Sequence, residues 1–184
     1  MINIHSIPEW FPMRVTYNRE LKIKDHLDQL SIENYIPMHY ELVGNGEDRA
    51  LRRVPAIHNL IFVRLSQEEL TDLKMTRREL EPLRYMMRPK EGNSEAQEII
   101  RVPDRQMENF MRVASAEDER VMYLKCTNFL EKVGQRVKVT NGYFAGVEGV
   151  IKRIKNNRRV VVQINGVAAV AIAHVPSDYL MAID

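Results

Sequence analysis

Between Val137 and Ile151 the chain reads VKVTNGYFAGVEGVI, a short apolar run interrupted by glycines at 142, 146 and 149. The spacing argues against a helix, because each interior glycine costs about 1 kcal/mol relative to alanine. It also argues against a phosphate-cradling loop, whose glycines would open a helix, and no helical pattern follows. What remains is extended chain that turns tightly. Asn141-Gly142 supplies positive φ where one strand ends, and Gly146 and Gly149 let the next strand bend and pass close to its neighbour. The flanking text agrees. QRVKVT alternates, with Val137 and Val139 on one face; VEGVIKRI and RRVVVQI enclose an Asn-Asn turn; VAAVAIAHV and DYLMAI follow Asn165-Gly166. Five short strands in about 50 residues predict a small closed β-barrel, because closure removes edges that a flat sheet of this size would expose.

The preceding chain has a different rhythm. Trp10 to Val15 reads as a strand despite Pro12, and RELKIKDHLDQL places Ile23, Leu27 and Leu30 on one helical stripe with Asn18 as N-cap. IENYIPMHYELV is extended, GNGED turns, and AIHNLIFVRL reads as the return strand of a hairpin. Ser66 and Glu69 form a capping box for a second helix that ends before Pro82. LRYMMR and EIIRV are further strands, and Asp104 caps a third helix, RQMENFMRVA. Helices segregated from antiparallel hairpins predict an α+β fold. The expected domains are therefore 1–114 and a barrel at 133–184, joined by a charged connector at 115–132.

Charge follows the same division. From Gly134 onward there are seven basic and three acidic side chains, a net of +4, whereas the whole chain carries +2. A basic module of this kind points to nucleic acid or an acidic partner. No apolar run reaches the roughly 18 residues of a membrane span, no secretory signal opens the chain, and the one cysteine, Cys126, cannot form an internal disulfide. These features predict a cytoplasmic protein without a membrane partner. His5, His26, His39, His58 and His174 share no metal-ligand spacing with Cys126. With no P-loop, dinucleotide fingerprint or nucleophile site, neither a cofactor nor a metal is expected, and no enzyme is predicted.

The segment VGQRVKVTNGYFAGVEGVIKRIKN resembles a KOW motif, with Tyr143 where many relatives carry proline. EWFPMRV, NYIPM and RRVPAIHNLIFVRL resemble the N-terminal domain of the NusG family. Trp10 and Phe11 match its opening aromatic pair, Pro37 the proline of the second strand, and Arg52, Arg53 and Pro55 the basic approach to the third. In that strand Ile57, His58, Asn59 and Leu60 stand where typical relatives read Phe-Pro-Gly-Tyr. Asn in the glycine slot is shared with RfaH-type paralogues, and the overall look is nearest to the operon-dedicated RfaH/UpxY-type antiterminators.

The resemblance implies a NusG-type αβ sandwich followed by an SH3-like barrel, and a non-enzymatic elongation or antitermination factor that suppresses pausing, at dedicated operons such as polysaccharide-synthesis loci. It implies that Ile57, Leu60 and Phe62, with Trp10 and Phe11, meet the clamp helices of RNA polymerase. Arg14 occupies a slot that is often aromatic. Side chains alternate along a strand, so Leu60 and Phe62 are expected on a partner-facing side and Ile61 and Val63 in the core. Arg19, Lys22 and His26 on the first helix are candidates for non-template DNA, and Arg52 and Arg53 on the hairpin for nucleic acid. For the barrel the implied partner is Rho or a ribosomal protein. A general NusG-type factor and a translation-linked KOW RNA-binding protein remain the alternatives.

Overall fold

The computed structural model describes residues 7–116, 118, 120–124, 134–154 and 156–183, without the side chains of residues 47 and 94. Cys126, His5 and much of the expected connector lie outside these residues. The elements in order are β1 (Glu9–Val15), α1 (Glu20–Gln29), β2 (Asn34–Tyr35), β3 (Met38–Val43), β4 (Ala50–Pro55), β5 (Leu60–Leu65), α2 (Gln67–Thr76), β6 (Leu83–Tyr85), β7 (Met87–Lys90), β8 (Asn93–Ile99) and α3 (Asp104–Ala114). Then follow β9 (Val121–Leu124), β10 (Arg136–Val139), β11 (Glu148–Ile154), β12 (Asn157–Ile164), β13 (Ala168–Ile172) and β14 (Leu180–Ala182). The class is α+β, as expected. The chain divides into two compact units: Met1–Pro37 with Ile57–Asp104, and Met38–Ala56 with Arg105–Asp184. The division differs from the expected boundaries, because the β3–β4 hairpin and α3 group with the barrel.

The first unit is built on a four-stranded sheet of order β2-β5-β1-β6. β1 and β5 pair antiparallel from Glu9↔Leu65 to Arg14↔Leu60. Pro12 is tolerated in the interior strand β1 for a local reason. Its carbonyl accepts a hydrogen bond from the Met86 N–H, and N and O of a strand residue point to the same side. Its missing N–H therefore faces a flank where pairing with β6, which covers Met13 to Val15, has already ended. The hairpin reading of the sequence needs correction. β4 is the return strand of β3, whereas AIHNLIFVRL supplies β5, which returns to β1 and β2.

α1 buries Ile23 and Leu27, but Leu30 lies at its C-cap and is exposed. Asn18 is not its N-cap; Arg19 holds that position without a side-chain bond. Asn18 has φ +50° and donates its own N–H to Asn59 Oδ1 at 3.0 Å. α2 begins as expected. Ser66 Oγ accepts the Glu69 N–H at 3.2 Å and Glu69 Oε2 accepts the Ser66 N–H at 3.4 Å, a capping box of the kind that contributes about 1 kcal/mol.

In the second unit a six-stranded antiparallel sheet has the order β14-β10-β11-β12-β13-β9. Its first five strands are those read from the sequence, and the sixth, β9, comes from the expected connector and pairs with β13. α3 is tied to this sheet by polar side chains. Gln106 Nε2 donates to the Gln163 carbonyl at 2.8 Å, Asn109 Oδ1 accepts the Glu148 N–H at 3.2 Å, and Arg105 pairs with the Glu148 carboxylate. The Tyr123 hydroxyl of β9 donates to the Ala114 carbonyl at 2.5 Å and lies 3.3 Å from the Met38 carbonyl, bringing α3 and the start of the hairpin to the sheet.

The glycines of the opening stretch divide their work. Gly142 and Gly146 have φ +78° and +93°, conformations that side chains rarely adopt. Gly149 serves close approach instead: a Cβ there would lie 2.7 Å from the Val161 carbonyl oxygen of the paired strand. Gly149→Ala is therefore expected to lower stability by about 1–3 kcal/mol, seen as a lower midpoint in chemical denaturation. An unchanged midpoint would show that β11 and β12 can separate freely.

Candidate functional site

Residues directly opposite in an antiparallel pair share a face of the sheet. The registers therefore sort the first unit's sheet into two apolar faces. Phe11, Met13, Ile61, Val63, Leu83 and Tyr85 share one. The Phe11 ring meets Tyr85 edge-on at 5.7 Å. From α2, Thr71 Oγ1 lies 3.0 Å from the Tyr85 hydroxyl and Lys74 Nζ lies 4.3 Å from the ring centre. From α1, Lys24 reaches Asn34 at 3.2 Å on the same face. This is the face the two helices cover.

Trp10, Pro12, Leu60 and Phe62 share the other face, with Tyr35 opposite Phe62 and Arg14 opposite both Leu60 and Arg84. The Tyr35 and Phe62 rings lie 6.5 Å apart. Phe62 is fully buried and Leu60 and Trp10 are each 3% exposed. Both faces of β5 are thus buried, in contrast to the expectation that alternation leaves one open. Ile57 is half-buried at the approach to β5 and Arg14 is exposed. The registers bring Trp10, Leu60 and Phe62 onto one face but put Phe11 on the helix-covered side, so the aromatic pair does not act as a unit.

A clasp that periodicity could not disclose holds this face in place. Asn59 has φ +60°, which Asn and Gly tolerate. Its carbonyl accepts the Val15 N–H at 2.9 Å, its Oδ1 accepts the Asn18 N–H, and its own N–H donates to Glu20 Oε1 at 3.2 Å. Glu20, only 3% exposed at the first turn of α1, is a buried carboxylate where the helix dipole favours negative charge. One residue thereby joins the ends of β1 and β5 to the start of α1. Asn in the glycine slot follows from the backbone conformation.

The basic candidates form two separate groups. Arg19, Lys22 and His26 line a cleft of about 380 Å³ together with Ile23, Arg78, Pro82 and one acid, Glu79. Arg78, from the single 3-10 turn after α2, was missed because only tertiary folding places it beside α1. The Arg19 guanidinium also lies 5.5 Å from the ring centre of Tyr17, which is exposed. Arg52 and Arg53 belong to the other compact unit. They alternate on β4, Arg52 opposite Glu41 and Arg53 opposite Tyr40, and do not share a face.

The family model described as "Transcription termination factor nusG" matches residues 8–111, more than half of the chain. The chain belongs to the NusG family. Membership places it among transcription factors, and the matched stretch contains β1, the Asn59 clasp, β5 and the cleft on α1. Among solved structures, the one titled "Domain interaction in Thermotoga maritima NusG" is similar at 19% identity, covering 96% of this chain and 98% of that chain, with a TM-score of 0.44. No curated protein matches. Among the described residues no helix of this NusG-family chain is long and apolar enough to cross a membrane.

The clasp predicts an ordered pair of effects. Asn59→Ala keeps the strained φ and loses the bond to Asn18, and should cost about 1–2 kcal/mol; Asn59→Gly removes the strain and should cost less. Equal losses on urea denaturation would mean that the side chain alone matters.

Proposed function

We propose that this NusG-family chain is a transcription elongation factor that binds RNA polymerase through the β1–β5 face carrying Trp10, Leu60 and Phe62. The observation that supports this most is the family match over 8–111. The geometry supports it further, because this apolar face is not the one that α1 and α2 use for their packing. A pair of amphipathic helices, such as the polymerase clamp helices, is the kind of ligand an apolar sheet face accommodates. Since Leu60 and Phe62 are buried, docking requires the face to open, and Ile57, Tyr35 and Arg14 form the rim a partner reaches first. Bound protein then biases elongation only through its differential affinity for the moving and paused states; about 1.4 kcal/mol changes a pause rate tenfold.

The cleft of Arg19, Lys22, His26 and Arg78 supports a second contact, to the non-template DNA strand, through phosphate pairing with the exposed Tyr17 beside it. A general NusG-type role is preferred over operon-dedicated antitermination. The Asn-for-Gly substitution that suggested the dedicated paralogues is accounted for by φ +60° at Asn59. Docking of Rho or a ribosomal protein on the barrel belongs to the same reading.

In single-round elongation with cognate polymerase, wild type should alter pause lifetimes and Ile57→Asp, at the half-buried rim, should lose the effect while keeping its circular dichroism. The double variant Arg19→Glu, Arg78→Glu should retain polymerase binding but lose cross-linking to the DNA strand, most clearly at low salt. Pausing changed equally by wild type and Ile57→Asp would refute the proposed face.

A further inference from the structure

In the second compact unit the β11–β12 ribbon outruns its neighbours. β10 pairs with β11 only as far as Val150, and β13 pairs with β12 only from Val160 onward. The rows Lys152↔Arg159 and Arg153↔Arg158 lie beyond those limits. Beside this end of the ribbon, Ile151, Arg158, Val160, Val175, Ser177 and Leu180 line a cleft of about 130 Å³. Nothing in the polymerase reading uses it.

Register puts its strand side chains on one face of the sheet. Ile151 stands opposite Val160, and Arg153 opposite Arg158 two residues further along the same strands. Gly149 stands opposite Val137 and Leu180 opposite Val139, so Leu180 shares that face. This is the face that buries Val137, Val139 and Val162. At the cleft it is only partly covered, since Ile151, Val175 and Leu180 are half-buried. The rim is cationic. Arg153 and Arg158 are both exposed, and directly opposed like charges are unfavourable in a sheet. Among the described residues no carboxylate pairs with either. The sequence holds no acid from Gly149 to Ser177. Of the acids that bound this stretch, Glu148 is paired with Arg105, and Asp178 is exposed outside the lining. Arg159 also borders the cleft, although its register places it on the other face opposite Lys152; its Nε and Nη1 are buried without an acceptor.

We propose that this cleft docks a peptide segment of a partner protein that presents one leucine-sized apolar side chain beside acidic residues. The apolar group enters between Ile151, Val160, Val175 and Leu180, and the carboxylates pair with Arg153 and Arg158. Size and charge both select this occupant. A cavity of roughly 150 Å³ with aliphatic and aromatic walls accepts a benzene-sized group, so about 130 Å³ suits a single side chain. Guanidinium groups pair carboxylates in bidentate fashion, and a carboxylate at the rim offsets the repulsion between the opposed arginines. A nucleic-acid strand fits less well. Among the described residues no aromatic side chain lines the cleft for a base to stack on, and phosphates would leave the aliphatic floor unused. The site rests on the geometry of the second unit alone and does not need polymerase to dock on the first.

The test uses the intact chain without polymerase, so its failure leaves the polymerase reading untouched. Amide NMR spectra are followed during titration with a short capped peptide in which glutamates flank one leucine. Control peptides carry serine for the leucine or glutamines for the glutamates, and an oligouridylate is titrated in parallel. The parent peptide is expected to shift the Ile151, Arg158, Val160 and Ser177 signals saturably. Each control peptide should bind about tenfold more weakly or worse. The double variant Arg153→Gln, Arg158→Gln should weaken the parent peptide about tenfold and leave the glutamine peptide within about twofold. Both arginines are exposed, and the spectra themselves report whether the variant is folded. Absence of shifts up to about 10 mM, serine peptide binding as tightly as the parent, or parent affinity unaffected by the double variant would each overturn the proposal. Tighter binding of the oligouridylate at the same signals would overturn it in favour of a phosphate ligand.

Discussion

The antiparallel pairing of β1 with β5 is the constraint from which the rest of the first unit follows. Its register, Trp10 opposite Arg64 and Phe62 opposite Pro12, decides which aromatic residue serves the helices and which serves the second face. A slip by one residue would exchange the two sets, putting Phe11 and Ile61 where Trp10 and Phe62 now lie. The Asn59 clasp stands at the end of this pairing, so the bonds it accepts from Val15 and Asn18 and the one it donates to Glu20 help hold the register as well as the entry to α1. Packing, helix orientation and the proposed docking face are therefore consequences of one alignment.

Local signals were legible in the sequence. The Ser66–Glu69 capping box depends on residues three apart, and the glycine and asparagine turns between β10 and β14 depend on single backbone conformations, so both could be read without knowing the fold. Signals that need distant partners could not. IHNLIFVRL looks like a return strand, but whether it pairs with β3 or β1 depends on the competing claim of ALRRVP, whose charged arginines hide a strand. Asn18 has an N-cap's composition and position, yet the amide oxygen of Asn59 engages its backbone instead. The burial of the Leu60–Phe62 face of β5 as well as its Ile61–Val63 face was equally hidden, since alternation tells which side chains share a face and not what covers it.

The second unit illustrates how polar side chains can reassign an element. α3 is strongly amphipathic, which fits it equally to an αβ sandwich or to a barrel. Gln106, Asn109 and Arg105 decide the matter by bonding to β11 and to the Gln163 carbonyl at the end of β12. The hairpin joins the same unit through the Tyr123 hydroxyl. In consequence its basic residues act within a different environment from those of α1, and electrostatic contributions from the two groups are best considered separately. Exposed charges contribute little to stability; their effect is on long-range attraction of anionic partners and falls with ionic strength.

The central claim, that the sheet face bounded by Ile57 is what meets polymerase, is most directly tested by photo-cross-linking from single positions. A photoreactive residue placed at 57 should capture a polymerase subunit in a reconstituted elongation complex, and more efficiently than one placed at the exposed barrel position 143. Capture from 143 alone, with none from 57, would contradict the account and move the interface to the barrel.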